Sequence, residues 1–506
     1  TGKGPVASHS TATDYLLATV LRSSGAYHYI KGGSFTNWTL LWIGSIANAA
    51  TLYPGISNYA GTFTADNIRI PTSTWLPTPL SYDTFTRADG AIGSSETTGP
   101  DSQTTPSLAW TGGAISTNKN VITPTLGSEI NTSANASSDP NGNESNATTG
   151  WLTGSGGITL SSDATAPQTG TYNLRGAYAS TGGYIYLNYG SATVGTWYLS
   201  TFALKGTDGN SYFSPNGFSY APTMYATTSW VNKVYSSRAS STSAWLRFYT
   251  RPDAGHYVEA DNVSLKPLTL SSLFSSVSTS DSDVIADANV TLTAGTQAGL
   301  VTNLDSTSTP ANFLIAYHDG TNVKLDKNVG GTYTNLIFAA ATYSAGATLR
   351  VITYTSAGSL KVRVYYNNAM VGTEQTVSDA GIISNTKHGL FSTYSGNSFD
   401  NFTLWARGTG AEYTGAPFEE LVATRDTTTK YNNSTASVQL VTSGTDANYL
   451  QSVNVGDTST YNLIAYAYTT GAAVTTADVN LYYDTAELTT TFTPMGATGW
   501  YKLTGS

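Results

Sequence analysis

The sequence predicts an all-β chain: several antiparallel β-sandwich (jelly-roll) modules in tandem, one inserted into another. Three observations predict it. Apolar residues alternate with period two in short runs rich in β-branched and aromatic residues, and Gly, Ser, Asn, Asp and Pro separate the runs. No segment longer than about ten residues carries the period of an amphipathic helix. A chain of 506 residues also exceeds one core, because single cores stop growing at roughly 250–300 residues.

The stretch that organises the chain is 136–267. It opens with Asn143-Glu144-Ser145 and Gly150-Trp151 and closes with the run Tyr257–Leu265 around Asp261-Asn262. Between them, alternating runs start at Tyr184, Trp197, Trp230 and Trp245, the pattern of a compact antiparallel sandwich. Residues 83–129 begin a domain that does not finish, and 268–405 read as its remainder. The expected division is 1–75, a partial sandwich; 76–135 with 268–410, an interrupted jelly roll; 136–267, an inserted sandwich; and 411–506, a last sandwich. Strands are expected near 14–20, 26–30, 38–43 and 65–70 in the first module, and near 461–468, 478–483 and 500–506 in the last. An internal repeat is expected. Asn312–Tyr317 parallels Asp14–Val20, Gly330-Gly331 parallels Gly32-Gly33, and Asp400-Asn401 parallels Asp66-Asn67. Pro71, Pro77 and Pro79 mark a stiff linker. Because the first and last modules read as incomplete, either a fragment or self-completing subunits are expected.

Composition narrows the function. Only 11% of residues are charged, against about 25% in an ordinary soluble protein, so hydration rests on Ser, Thr, Asn and Gly. A net charge of −9 without a basic stripe argues against nucleic acid. The absence of cysteine excludes disulfides, thiolate metal sites and a cysteine nucleophile. No apolar run approaches the ~18 residues of a membrane span, so no membrane insertion is expected. A β chain of this composition is expected outside the cell, on a cell surface or on a virion.

Two resemblances are carried by specific residues. Asp83-Thr-Phe85-Thr-Arg87-Ala-Asp89-Gly90, with Phe399-Asp400-Asn401-Phe402, resembles the opening and closing strands of laminin-G-like (concanavalin-A-like) jelly rolls of bacterial and phage proteins. The central stretch resembles carbohydrate-binding modules of the family 4 and 9 type, through Asn143-Glu144, Gly170-Thr-Tyr-Asn-Leu-Arg175 and Asp261-Asn262-Val263. It departs from that family's opening after Glu144. The resemblance implies a calcium ion tying the first strand to the last, held by Glu144, a carbonyl near Thr171, and Asp261. It implies equally a glycan site, with Tyr184, Tyr186, Trp230, Tyr249 and Tyr257 as ring platforms and Arg247 and Glu259 as polar partners. Trp151, Trp197 and Trp245 are assigned to the core.

Catalysis is not expected. His9, His28, His256, His318 and His388 are scattered without metal-ligand spacing. No Gly-x-Ser-x-Gly elbow and no Glu-x-Asp-x-x-Glu strand occurs. Sequons at Asn131, Asn135, Asn143 and Asn146 cluster in an expected loop, so a glycoprotein is a further expectation. The leading expectation is a non-enzymatic structural protein of an extracellular filament, cell surface or phage tail, whose partners are copies of itself. The alternative is a glycan-binding adhesin, or the ancillary carbohydrate-binding region of a larger enzyme.

Overall fold

The computed structural model describes residues 13, 15–45, 76–131, 145–154, 157–187, 191–407, 422–426, 437–441, 463–468, 475, 479, 481–483, 486–495 and 499–505. The chain divides into two compact units, residues 1–415 and 416–506. The chain is nearly all β, in several antiparallel sheets. Among the described residues the helical elements are single turns, Leu270–Leu273 and Ala380–Ile383. The expected fold class is the observed one.

Two large sheets sandwich the main core of the first unit. One runs Phe274–Ser278, Lys387–Ser392, Ala298–Leu304, Asn312–His318, Asn322–Val329, Thr332–Ala340 in spatial order. The other centres on Ser398–Ala406, which pairs with Val284–Thr291 and also with Ser81–Asp83 and Lys119–Val121. Its partners thus come from both sides of residues 132–267. The entry and exit of that segment run side by side: Gly127 N–H donates to the Pro267 carbonyl (2.8 Å) and Thr269 N–H to the Thr125 carbonyl (3.0 Å). The pairing strand is Ser81–Asp83, slightly ahead of the Asp83–Arg87 motif. Beyond it the chain turns, with Phe85 at φ 55° and buried. The buried Asp83 carboxylate holds the turn. It accepts the Arg87 fork (2.9 and 2.8 Å), the Trp110 indole (2.8 Å) and the Phe85 amide (2.8 Å), the bidentate geometry in which arginine and carboxylate bind best.

Residues 145–267 carry two five-stranded sheets of their own. The first runs Val231–Arg238, Trp197–Gly206, Tyr257–Pro267, Asn173–Tyr178, Ile158–Asp163. The second runs Met224–Tyr225, Tyr212–Phe213, Arg247–Tyr249, Tyr184–Leu187, Trp151–Gly154. Alternation along each strand sends Leu204, Phe213, Phe248 and Val258 into a shared core.

The last strands of both sandwiches use one device. In Tyr257–Pro267, Asn262 sits at φ 52°, and the register slips so that Asn262 and Val263 together face Phe202. In Ser398–Ala406, Asn401 sits at φ 51° with the same slip opposite Ala288. Each preceding aspartate accepts the asparagine N–H (2.8 Å at Asp261, 2.9 Å at Asp400). Such a bulge inserts one residue and flips which side chains face inward. Val258 and Ala260 are therefore core residues before it, and Val263 and Leu265 after it.

The smaller sandwich is seated on the six-stranded sheet. Trp197 is buried in that seam against Phe391 (centroids 5.3 Å apart), and its indole donates to the Tyr333 hydroxyl (3.0 Å). Arg238 lies over Tyr333 (4.2 Å) and pairs with the buried Asp326 (3.5 Å). Trp197 is thus buried as expected, but in the seam rather than in its own module's core. On the opposite sheet lies the meander Leu16–Arg22, Gly25–Gly32, Phe35–Gly44, where Trp42 meets Tyr365 (4.8 Å) and Tyr27 meets Trp405 (5.0 Å). Its strand order matches Asn312–His318, Asn322–Val329, Thr332–Ala340, with Gly32-Gly33 and Gly330-Gly331 at corresponding turns, all at positive φ. The rest of the expected repeat, at 66–67, lies outside the described residues, as does the 71–75 part of the linker.

In the second unit, Leu463–Tyr468, Trp500–Gly505 and Thr490–Pro494 form one sheet and Val422–Asp426 pairs with Ser437–Val441.

The shared bulge yields a stability prediction. Asparagine tolerates a left-handed backbone that costs other L-residues about 1–2 kcal/mol, most for β-branched ones. Asn262→Val and Asn401→Val should each lower the melting temperature, whereas Asn401→Gly should leave it near the parent value. Thermal melts followed by circular dichroism read this out, and valine variants as stable as the parent would show that the bulge is not sequence-specified.

Candidate functional site

The second sheet of the 145–267 sandwich has one face in the core and one outside it. Ile185, Leu187, Phe213 and Phe248 point inward and are buried. Period-two alternation therefore places Tyr184, Tyr186, Arg247, Tyr249 and Tyr212 on the outer face, half-buried, and Tyr225 at 57% exposure.

Register lines these residues up across the strands. Gly154, Tyr184, Tyr249, Tyr212 and Tyr225 are successive partners in one row. Centroids are 4.8 Å apart for Tyr184–Tyr249, 4.7 Å for Tyr249–Tyr212 and 5.9 Å for Tyr212–Tyr225; the middle pair is stacked at 10°. Tyr186 extends the surface from Tyr184 (5.8 Å) to Trp245 (5.2 Å). Six rings thus touch in sequence. Gly154 makes the row possible at its far end: a Cβ there would stand 2.1 Å from the Tyr184 ring. Arg247, opposite Tyr186, sets its guanidinium 5.1 Å from the Tyr184 ring centre and 5.4 Å from that of Tyr249. A shallow cleft of about 440 Å³ opens over Tyr184, Tyr212 and Tyr249, bordered by Asn210, Arg251 and Pro252. Burial pushes the Tyr249 phenol above its ordinary range, so it stays a neutral donor at physiological pH.

The structure brings together four of the seven expected glycan residues: Tyr184, Tyr186, Arg247 and Tyr249. Trp230, Tyr257 and Glu259 stand apart because their segments belong to the first sheet. There Glu259 lies in register between Arg175 and Lys205. It is buried, 2.7 Å from the Lys205 ammonium and 3.8 Å from Arg175. Burial pushes its carboxyl up, against the opposing pull of the two cations. Tyr257 covers the Arg175 guanidinium (3.7 Å), and Trp230 lies by Lys205 (5.3 Å) and donates to the Ala166 carbonyl (3.0 Å). These two rings cap an ion network rather than join the platform.

Trp245 was assigned to the core and is not there. It is half-buried on the ring face, sharing strand parity with Arg247 and Tyr249, while Leu246 and Phe248 face inward. Tyr212 and Tyr225 were missed. The Tyr212-Phe213 alternation was a signal, but which member faced out depended on pairing with Tyr249.

Of the expected calcium ligands, Glu144 lies outside the described residues. Asp261 is fully buried, and its carboxylate accepts the amides of Gln168 (2.8 Å), Thr169 (3.2 Å) and Asn262 (2.8 Å). Those bonds draw the last strand to the segment leading into Thr171. Among the described residues no group of three or more His, Cys, Asp or Glu side chains gathers to hold a metal.

No protein-family model matches this sequence, and no curated protein matches it. Among solved structures, the chain is similar to carbohydrate-binding module CBM66 from Bacillus subtilis, at 17% identity over 26% of this chain and 81% of that one, with a TM-score of 0.21. It is similar also to the N-terminal CBM22 tandem of Xyn10C from Paenibacillus barcinonensis, at 10% identity over 57% and 99%, with a TM-score of 0.22. A xylan β-1,4-xylosidase from Bacillus halodurans C-125 has 10% identity over 78% and 85%, with a TM-score of 0.22. Likenesses at this level carry no argument about the site, which is read from its own residues. Among the described residues no helix is long and apolar enough to cross a membrane.

Proposed function

We propose that the 145–267 sandwich binds an extended glycan on its ring face, as an adhesin or as an ancillary region of a larger extracellular enzyme. One observation carries this: six aromatic rings in unbroken contact along the outer side of one sheet, at 4.7–5.9 Å steps. A sugar presents C–H faces that settle on such rings, while flanking polar groups take its hydroxyls. Asn210 and Arg251 border the cleft as those partners. The activity proposed is binding without turnover. In this proposal the module is nested in the surrounding jelly roll, and Trp230, Tyr257 and Glu259 serve the fold rather than the ligand.

Affinity electrophoresis of the whole chain through gels containing plant and microbial polysaccharides tests the reading. Tyr249→Ala, which removes the central ring, should weaken retention by about tenfold or more, the loss typical of an anchoring aromatic. Unchanged migration of both proteins in every gel sinks it.

A calcium ion held by Glu144, the Thr171 carbonyl and Asp261 belongs to the same proposal, as an anchor for the last strand. A chelator should then lower the melting temperature, and Asp261→Ala should abolish that response. Identical melts with and without chelator leave Asp261 as an anchor held by backbone amides alone.

A second reading, a filament or phage appendage assembled head to tail from copies of this chain, is favoured by one feature. The strand Leu16–Arg22 pairs on one side only among the described residues and exposes Leu16 (51%), Leu17 (75%) and Leu21 (41%), an edge of the kind that invites another chain. Sedimentation well above micromolar concentration should show concentration-dependent oligomers; a lone monomer ends this reading.

A further inference from the structure

Arg247 differs from the neighbouring arginines of its sandwich. Arg175 pairs with Asp163 (2.5 Å), Arg238 with Asp326 (3.5 Å) and Arg251 with Asp208 (2.8 Å). Among the described residues no carboxylate lies within ion-pair distance of Arg247. Among the described residues the hydrogen bond of its side chain runs from Nε to the Ser214 carbonyl, a long 3.4 Å. Where its neighbours have an ion pair, this half-buried cation has only the attraction of nearby rings. Two rings hold it in place: Tyr184 and Tyr249, the pair at the centre of the platform. Tyr186 is its cross-strand partner. The cation is therefore held against the two central rings of the platform, already positioned before a ligand arrives.

Resting on the glycan reading above, we propose that the ring face selects anionic glycans, chains whose sugars carry a carboxylate or sulfate group, with Arg247 as the counter-ion. The rings receive the sugar faces, and the guanidinium takes the acidic substituent with the paired donors that fit carboxylate and sulfate oxygens. The chain's net charge of −9 gives no long-range attraction for a polyanion, so selection is a short-range contact, screened by salt.

Titration calorimetry on the whole chain tests this with four probes of equal length: oligogalacturonides, chondroitin sulfate oligosaccharides, their desulfated form, and neutral xylo-oligosaccharides. At least one anionic probe should bind about tenfold or more tighter than the neutral one, consistent with a charge-assisted hydrogen bond. Desulfation separates sulfate from carboxylate as the recognised group. Arg247→Gln should erase the preference, so that anionic and neutral probes bind alike, and Arg247→Lys should restore part of it. Tyr249→Ala should weaken all probes together, and circular dichroism checks that each variant is folded. Equal or tighter binding of the neutral probe, or a preference that survives Arg247→Gln, overturns the anionic selection but leaves the glycan face standing. Binding of no probe overturns both. Single-stranded DNA bound as tightly as the best glycan would reduce Arg247 to a general polyanion contact and likewise overturn the proposal.

Discussion

Both sandwiches depend on a single local constraint, the Asp-Asn bulge in the strand that closes each of them. A strand with strict alternation has one inward parity along its whole length. Tyr257–Pro267 and Ser398–Ala406 are central strands, paired on both sides, and each must keep apolar residues inward over a long run. The bulge resets the parity halfway, so Val258 and Ala260 serve the core on one side of Asn262, and Val263 and Leu265 on the other. In the larger sandwich, Phe399 precedes the reset while Phe402 and Leu404 follow it. The same aspartates bind the following amide, and Asp261 also collects the amides of Gln168 and Thr169. One dipeptide thus sets twist, register and the attachment of a distant segment.

From that strand outward, the smaller sandwich is held at a fixed seat. Its first sheet spends one end on the neighbouring six-stranded sheet, through Trp197, Arg238 and the hydrogen bonds around Ser236, Gln297 and Thr393. The other end of that sheet is closed by the row Arg175, Glu259 and Lys205. A buried carboxylate between two cations adds little net stability, because desolvation offsets the attraction. What it does add is order across three strands. The outer face of the second sheet carries the rings.

Much of the fold was legible because β-sandwiches write themselves in short-range alternation. The runs at Tyr184, Trp197 and Tyr257 all appear as strands, and the Asp-Asn pairs marked both closing strands. The site was legible only in part. Tyr184, Tyr186, Arg247 and Tyr249 stand among the expected glycan residues and share the ring face, yet Trp230, Tyr257 and Glu259 are expected on the same grounds and do not. Nothing in a local run tells which of two sheets a strand will join.

The sequence by itself determined the all-β class and the period of each strand, since both follow from neighbours a few residues apart. Tertiary structure alone decided which rings meet. Tyr212, Tyr249 and Tyr184 lie far apart along the chain, and only antiparallel register sets them side by side in one row. It decided as well that Trp245 faces outward and Trp197 into a seam, because burial of a strand's second face depends on what lies across from it. The same pairing placed Arg247 against two rings, with no acid within ion-pair distance among the described residues.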